Sequence, residues 1–455
     1  MSQNISKLSL ESLLSYSGLA VPMSMLLLPV IIYLPPFYAE NLGLSLSAVG
    51  GTFFLARLWD GISDPVIGSL SDRLNSRWGR RKPWIAVGAP LLMVATYFLC
   101  VPTQTADDFY LLFWLVAFYL AWTMVQIPFQ SWGAELTPDY HERNRLVGFR
   151  EGGFMLGILL AVGVPMIFLP PEPDLRNILQ IFTAVVLILI PITVVIALKN
   201  VPDVSSSKGE YLKLRAVPRT LVRNRPFLRV MSAYFIYQVG SAAWDALVVF
   251  TVTRYMGLSG GLFLSLVLFQ YLAAIICIPL AVRLANKIGK HRAICVGILI
   301  RPLAFGLIVL VSPEGYLYAA LSFALLGVAG APMLVLPTSI VADVIDYDTL
   351  KTGKRQTGTY MSLFNLGTKL ALALGVGIAL PLVDLAGFDP TGENTASAMS
   401  ALIIVGCGMP VLLALVSLTL LWNFSITEKK HDIIRRWLSR AAARKSTLET
   451  YKKAE

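Results

Sequence analysis

Arg57, Asp60 and Asp64 stand inside one apolar stretch at i, i+3 and i+7. On a helix that spacing puts all three on one face, a turn apart. Two carboxylates so placed, with one guanidinium beside them, are suited to hold a small cation or a proton. A hard cation such as Na+ takes oxygen ligands, and the hydroxyls of Ser63 and Thr123 would add to the carboxylates. The other reading is a structural ion-pair ladder between helices. Three further ionisable residues lie well inside apolar stretches: Asp245, Arg301 and Lys369. A charge at a bilayer centre costs at least about 2.5–3.5 kcal/mol, so each needs a partner or a wet cavity. Lys369, near Asn365 and Thr368, has three candidate partners: Asp60 or Asp64, a substrate anion, or a backbone carbonyl. Asp245, beside Trp244, would pair with Arg301 or line a substrate path.

Trp122, Gln126 and Gln130 are spaced by four and share a helical face with Thr123 close by. An indole with amides beside it is a common way to hold a polyol; packing and hydrogen bonding between helices would use the same residues. His141, His291 and His431 all fall between or beyond the apolar stretches, which speaks against a histidine proton relay. Cys100, Cys277, Cys295 and Cys407 lie in or at the ends of apolar runs, without metal-site or disulfide spacing, and read as small buried hydrophobes. The chain has no G-x-S-x-G, H-E-x-x-H or P-loop motif, so an enzyme is not expected.

The elements that must carry these residues follow from composition. Hydrophobic residues make up 56% of the 455, charged residues 14%, and mean hydropathy is +0.68. That excludes a disordered chain and argues against a soluble enzyme. Twelve apolar stretches are long enough to span a bilayer, among them 45–71, 147–170 and 316–342, the first near 14–39 and the last near 398–424. The polar break 199–227 divides them into an N-terminal six-helix bundle over 1–198 and a C-terminal one over 228–424, with a basic tail over 425–455. The 38 Lys and Arg outnumber 27 Asp and Glu. With alternating loops, only Arg176 and Arg254 fall outside, and only Arg57, Arg301 and Lys369 fall within spans. The rest share the side of both termini, so the positive-inside rule makes the termini cytoplasmic. The charge excess therefore reports membrane topology and lipid contact, not nucleic acid. The N-terminus shows no cleaved signal peptide. Ile433, Ile434, Trp437, Leu438 and Ala441 of the tail could form one apolar stripe, either a helix on the inner leaflet or a solvated segment.

Two loops echo each other about 207–210 residues apart. One holds Glu135, Asp139 and Arg143; the other holds Asp343, Asp346, Lys354 and Arg355. A second echo links Asp72, Arg73, Arg80 and Arg81 to Lys290, His291 and Arg292. This argues for a duplicated six-helix unit, as in transporters built from parallel repeats. Acid–base pairs at these helix ends would gate one side by forming and breaking, or would only orient the protein.

Gly68, Asp72, Arg73, Gly79, Arg80 and Arg81 match the G-x3-D-R-x5-G-R-R loop typical of the major facilitator superfamily. Residues 57–68, Arg-Leu-Trp-Asp-Gly-Ile-Ser-Asp-Pro-Val-Ile-Gly, resemble the R-x-W-D-x-x-x-D-P-x-x-G signature of the glycoside–pentoside–hexuronide:cation symporters, the melibiose permease group. The resemblance implies an all-α integral membrane protein with twelve transmembrane helices in two six-helix bundles related by a pseudo-two-fold axis. It also implies alternating access in a plasma (inner) membrane, with a sugar, glycoside or sugar acid coupled to Na+ or H+ (Li+ possible). By resemblance Asp60, Asp64 and Thr123 are cation ligands, and Lys369 lies beside them. Arg150 or Glu151 takes the charged position opening the fifth span. Ser24 and Gln126 stand where galactoside-transporting members have carboxylates, which disfavours melibiose and would admit an anionic solute. Arg57, Trp122, Gln130, Asp245 and Asn365 complete the expected pocket. A functional monomer with no cofactor is expected. The competing reading is a carrier of lysolipid-like or other organic solutes on the same fold, which needs a lateral apolar cleft.

Overall fold

The computed structural model describes residues 8–74, 76–137, 140–170, 174–202, 224–310, 315–353 and 356–426, with 430, 431, 433, 434, 436 and 437. The described residues form twelve long helices. In chain order these are α1 (Leu10–Leu42), α2 (Leu46–Arg73), α3 (Lys82–Cys100), α4 (Asp108–Glu135), α5 (Tyr140–Phe168) and α6 (Leu175–Asn200), then α7 (Arg225–Tyr255), α8 (Gly260–Ile288), α9 (Lys290–Leu310), α10 (Tyr316–Thr352), α11 (Thr357–Leu385) and α12 (Ala396–Trp422). Eleven are long and apolar enough to cross a membrane. The twelfth is α2: its 28 residues reach about 42 Å at 1.5 Å per residue. It falls short only in apolarity, because Arg57, Asp60 and Asp64 occupy its middle.

Helix starts are set by side chains that accept first-turn N–H groups. Ser9 accepts from Ser12, Ser45 from Ala48, Asp107 from Tyr110, Asn224 from Phe227 and Thr395 from Ala398. α1 contains a π turn over Pro29–Tyr33, where proline supplies no N–H to the ladder. Large apolar side chains such as Leu55, Ile188, Ile276, Leu303 and Leu412 are exposed, as a lipid-facing surface requires.

Three boundaries differ from the sequence reading. The tenth span, read as 316–342, stays helical to Thr352 and stops at Gly353, whose φ of +69° glycine adopts without strain. Val344 and Ile345 are buried, so the core-facing stripe continues past the apolar run. Asp343 and Asp346 are thus helix residues one turn apart, not loop residues. The fifth span, read as 147–170, starts at Tyr140, so Arg150 and Glu151 lie well within α5 and do not open it. His291 falls in the first turn of α9, at its end, not clear of the helix.

One apolar core joins the halves. It holds α1 to α6 and, from the second half, Ala243 to Leu258, Phe263 to Val267, Val376 to Val383 and Ala398 to Cys407. These stretches occupy the ends of α7, α8, α11 and α12 remote from the basic loops. A second core, from Phe227 to Ile426, belongs to the C-terminal half alone and lies toward the basic loops. Packing therefore seals the halves together at the face far from the basic loops.

The tightest seam between the halves runs along α2 and α11. A Cβ on Gly377 would stand 2.9 Å from Phe54 Cβ, so the bare glycine lets the two helices approach. Within the first half, Gly157 of α5 packs directly on the Val21 carbonyl and Ser24 Oγ of α1. Backbone cannot yield as a flexible side-chain tip can. Gly157→Ala is expected to cost about 1–3 kcal/mol, read as a lowered melting temperature of the detergent-solubilised protein.

Candidate cation and solute site

α2 presents Asp60 and Asp64 to α4 and α11 near mid-helix. Lys369 of α11 inserts between them, with Nζ 2.9 Å from Asp60 Oδ1 and 2.6 Å from Asp64 Oδ2. Thr123 of α4 lies 3.2 Å from Asp60 Oδ1 and 2.9 Å from Asp64 Oδ1. A hydroxyl has one proton to donate, so Thr123 shares it between the carboxylates and keeps its lone pairs for another partner. Arg57 Nη1 stands 3.6 Å from Asp60 Oδ2, which receives no hydrogen bond. Two acids and two bases thus balance formally. The side chain of Asp60 is 1% exposed and that of Asp64 23%, so a small ion arriving through solvent meets Asp64 first.

Of the expected cation ligands, the structure brings together Asp60, Asp64 and Thr123. Ser63 turns its hydroxyl to the Asp60 carbonyl, 3.1 Å away, and does not join the carboxylate oxygens. Among the described residues no third acidic, His or Cys side chain completes a metal-binding group.

The expected solute residues are dispersed. Gln126 has its Oε1 buried without a partner, an acceptor on the face of α4 that also carries Thr123. Trp122 is buried and stacks on Phe118 at 6.0 Å, whereas Gln130 and Asn365 are exposed. Ser24 is fully buried and donates to the Val21 carbonyl at 3.0 Å, so helix packing takes it out of the pocket. Arg150 is engaged by its neighbour Glu151 at 2.6 Å. Arg301 donates to Ser241 at 2.9 Å and covers the Tyr237 ring at 4.5 Å. Asp245, a turn beyond Ser241 on α7, feels the Arg301 charge without being drawn into a described ion pair.

Sequence reasoning missed Tyr119. Its ring carries the Arg57 guanidinium 4.4 Å from the centroid, and its hydroxyl is buried without a partner. The signal was there: Tyr119 is one turn before Thr123 on the same face. Sequence reasoning also missed Glu40 of α1, which pairs with Arg254 of α7 at 3.5 Å. The ends of two helices more than 200 residues apart reveal no such contact in a linear reading.

At the basic face the expected gating residues form two clusters, one per half. Arg81 reaches Asp72 and Glu135, each at 2.6 Å, and Ser71 at 2.8 Å; Arg80 approaches Glu135 at 3.9 Å. In the second half Lys290 reaches Asp343 at 2.6 Å, and His431 of the tail reaches Asp346 at 3.2 Å. Arg73 ends α2 without a described ion pair. Asp139 and Arg355 lie outside the described residues, and the Arg143 side chain is likewise not described. The ion pairs described at this face stay within a half. Those that join the halves are at mid-helix, through Lys369, and at the far face, through Glu40 and Arg254.

Twelve packed membrane helices, with a charged centre held between two halves, define a secondary transporter of the major facilitator type. Residues 15–428 match the family model described as MFS/sugar transport protein. The chain belongs to that family, and it is a multi-pass membrane transporter, not an enzyme. It is 25% identical over 453 residues to an uncharacterized symporter, YnaJ, of Bacillus subtilis (strain 168), covering 95% of each chain. To the glucuronide carrier protein homolog of Escherichia coli (strain K12) it is 25% identical over 416 residues, 88% of this chain and 89% of the other. It also resembles the sodium-dependent lysophosphatidylcholine symporter 1-B of Danio rerio, 22% identical over 464 residues, 92% and 85%. The fold is shared with the crystal structure of nucleoside transporter NupG (TM-score 0.64, 12% identity, 92% of this chain and 100% of that one).

Proposed function

We propose that the chain is a cation-coupled symporter of a sugar, glycoside or sugar acid, with Asp60, Asp64 and Thr123 as ligands of Na+ or H+. The observation that carries this reading is Lys369. A cation tethered to the C-terminal half fills the gap between two carboxylates of the N-terminal half. A free cation in that gap must displace it, so ion binding and the contact between halves become one event. Coupling needs such a linkage, because a ligand shifts a conformational equilibrium only through differential affinity for the two states. Among the described residues the ion pairs that join the halves lie at mid-helix and at the face far from the basic loops, and with the basic face cytoplasmic by the positive-inside rule that arrangement supports reading this as an inward-facing state. The name of the Escherichia coli relative supports an anionic glycoside among the solutes to be tried.

The test is uptake into proteoliposomes of neutral sugars, glycosides and sugar acids under separate Na+ and H+ gradients. Accumulation of one class under one gradient is the expected result. No accumulation of any of them under either gradient would overturn it. On the same reading, Arg254→Glu sets two acids face to face and loosens the far-face seal. A cysteine placed at Phe53 should then react faster with an impermeant maleimide applied from outside.

A second reading has one observation in its favour. An apolar groove of about 650 Å³ opens between α1 and α5, lined by Leu14, Val21, Phe149 and Leu156, with Arg145 among its lining residues. It would suit an alkyl chain with an anionic head. Lysophosphatidylcholine accumulation in the same assay, with no sugar transported, would favour it.

A further inference from the structure

We propose that His431, beyond α12, is a pH-responsive clamp on the second half, closed when it is protonated. The two basic-face clusters are counterparts with one difference. In the first half two acids, Asp72 and Glu135, meet two permanent cations, Arg80 and Arg81. In the second half two acids of α10, Asp343 and Asp346, meet one permanent cation among the described residues, Lys290, which holds Asp343 through both oxygens at 2.8 and 2.6 Å. The place of the second cation is taken by His431 from beyond α12, 3.5 Å from Asp343 and 3.2 Å from Asp346.

Charge counting gives the switch. With Lys290 spent on Asp343, one of the two carboxylates has no permanent cation among the described residues. Protonated His431 balances it and ion-pairs with both acids. Neutral His431 leaves it uncompensated and offers one hydrogen bond at most. Histidine is the side chain whose ordinary charge change falls between about pH 5 and pH 8.

The surroundings make the contact a clamp and not a passing surface pair. His431 helps line a cavity of about 200 Å³ together with Asn286 of α8, Lys290 and His291 of α9, Asp343 of α10, and Phe424 and Ile426 after α12. Among the described residues the groups facing it are Asp343 and Asp346 from α10, Lys290 and His291 from α9, and uncharged Asn286 from α8. Its neighbour Lys430 bonds the Ser425 carbonyl at 3.1 Å. Phe424, Ile426 and Ile434 are buried, so undocking the segment also uncovers apolar surface. The sign follows: docking is strongest at low pH and weakens as pH rises and His431 loses its proton.

Spin labels on Arg283→Cys of α8 and Trp437→Cys of the tail, both exposed positions, would report docking as a distance distribution. Cys277, half-buried while the other three native cysteines are buried, is replaced by serine. At about pH 5 the full-length protein should give one narrow short distance. At about pH 8 a broad longer population should grow about fivefold, the effect of a modest ion pair. His431→Gln should show the long population at both pH values, and His431→Arg the short one at both. Identical distributions at the two pH values in the unsubstituted chain, or a pH shift that survives in His431→Gln, would overturn the proposal. The His431→Arg protein guards against misfolding: a long distance at low pH in that variant also counts against the clamp.

Discussion

Proteoliposomes carrying Asp60→Asn are expected to equilibrate solute but not to accumulate it, with coupled uptake down about 10²–10³-fold. The magnitude follows from burial. Asp60 is nearly inaccessible and faces both Lys369 and Arg57. Removing one partner of a buried ion pair costs about 3–5 kcal/mol, since the other charge stays buried and uncompensated; at about 1.4 kcal/mol per decade the lower part of that range, about 3–4 kcal/mol, is two to three decades. Asparagine keeps the shape, so helix packing survives and solute binding or exchange without an ion gradient is retained. Asp64→Asn should fall in the same direction but less far, because Asp64 is partly solvated and water compensates part of the loss. Normal accumulation by both variants would remove these carboxylates from the cation site.

The twelve helices were readable from the recurring apolar stretches, because a bilayer demands long helices that satisfy their own backbone. The α2 signature, too, was visible: three charges at i, i+3 and i+7 can share a face only on a helix. Contacts between helices distant in sequence were not. Lys369 is 309 residues beyond Asp60, and nothing in its flanking sequence selects a carboxylate over a carbonyl. Ser24 failed for a related reason. Its position matched a solute-binding residue of the resembled family, but Gly157 lets α5 close over it, and a glycine announces close approach without naming the partner. The boundaries of α5 and α10 moved because apolar runs mark the hydrocarbon core, while helices continue into water as long as one face stays buried.

Lys369→Ala is expected to split binding from transport: the coupling cation binds about tenfold tighter, while coupled uptake falls about a hundredfold. In the structure the Lys369 ammonium occupies the gap between Asp60 and Asp64, so an incoming cation competes with it. Deleting the competitor leaves two carboxylates against Arg57 alone, a net negative site that attracts cations. The same deletion harms the return step. A transporter must reorient with the site empty of ion, and Lys369 is what neutralises the buried acids then. Without it the ion-free protein keeps an unbalanced charge in a low-dielectric centre, where such a charge costs several kcal/mol. Lys369 also contacts α2 across the seam between halves, so its loss removes the mid-helix tie that the cation is proposed to trade against. Trp59, beside Asp60 and 39% exposed, is a natural reporter: its fluorescence during cation titration gives affinity, and uptake under a gradient gives transport. Weaker cation binding in Lys369→Ala would mean that the ammonium assists the ion instead of competing with it. Unchanged uptake would mean that the acids reorient bare. Either result would break the link between ion binding and the contact of the halves on which the symport reading rests.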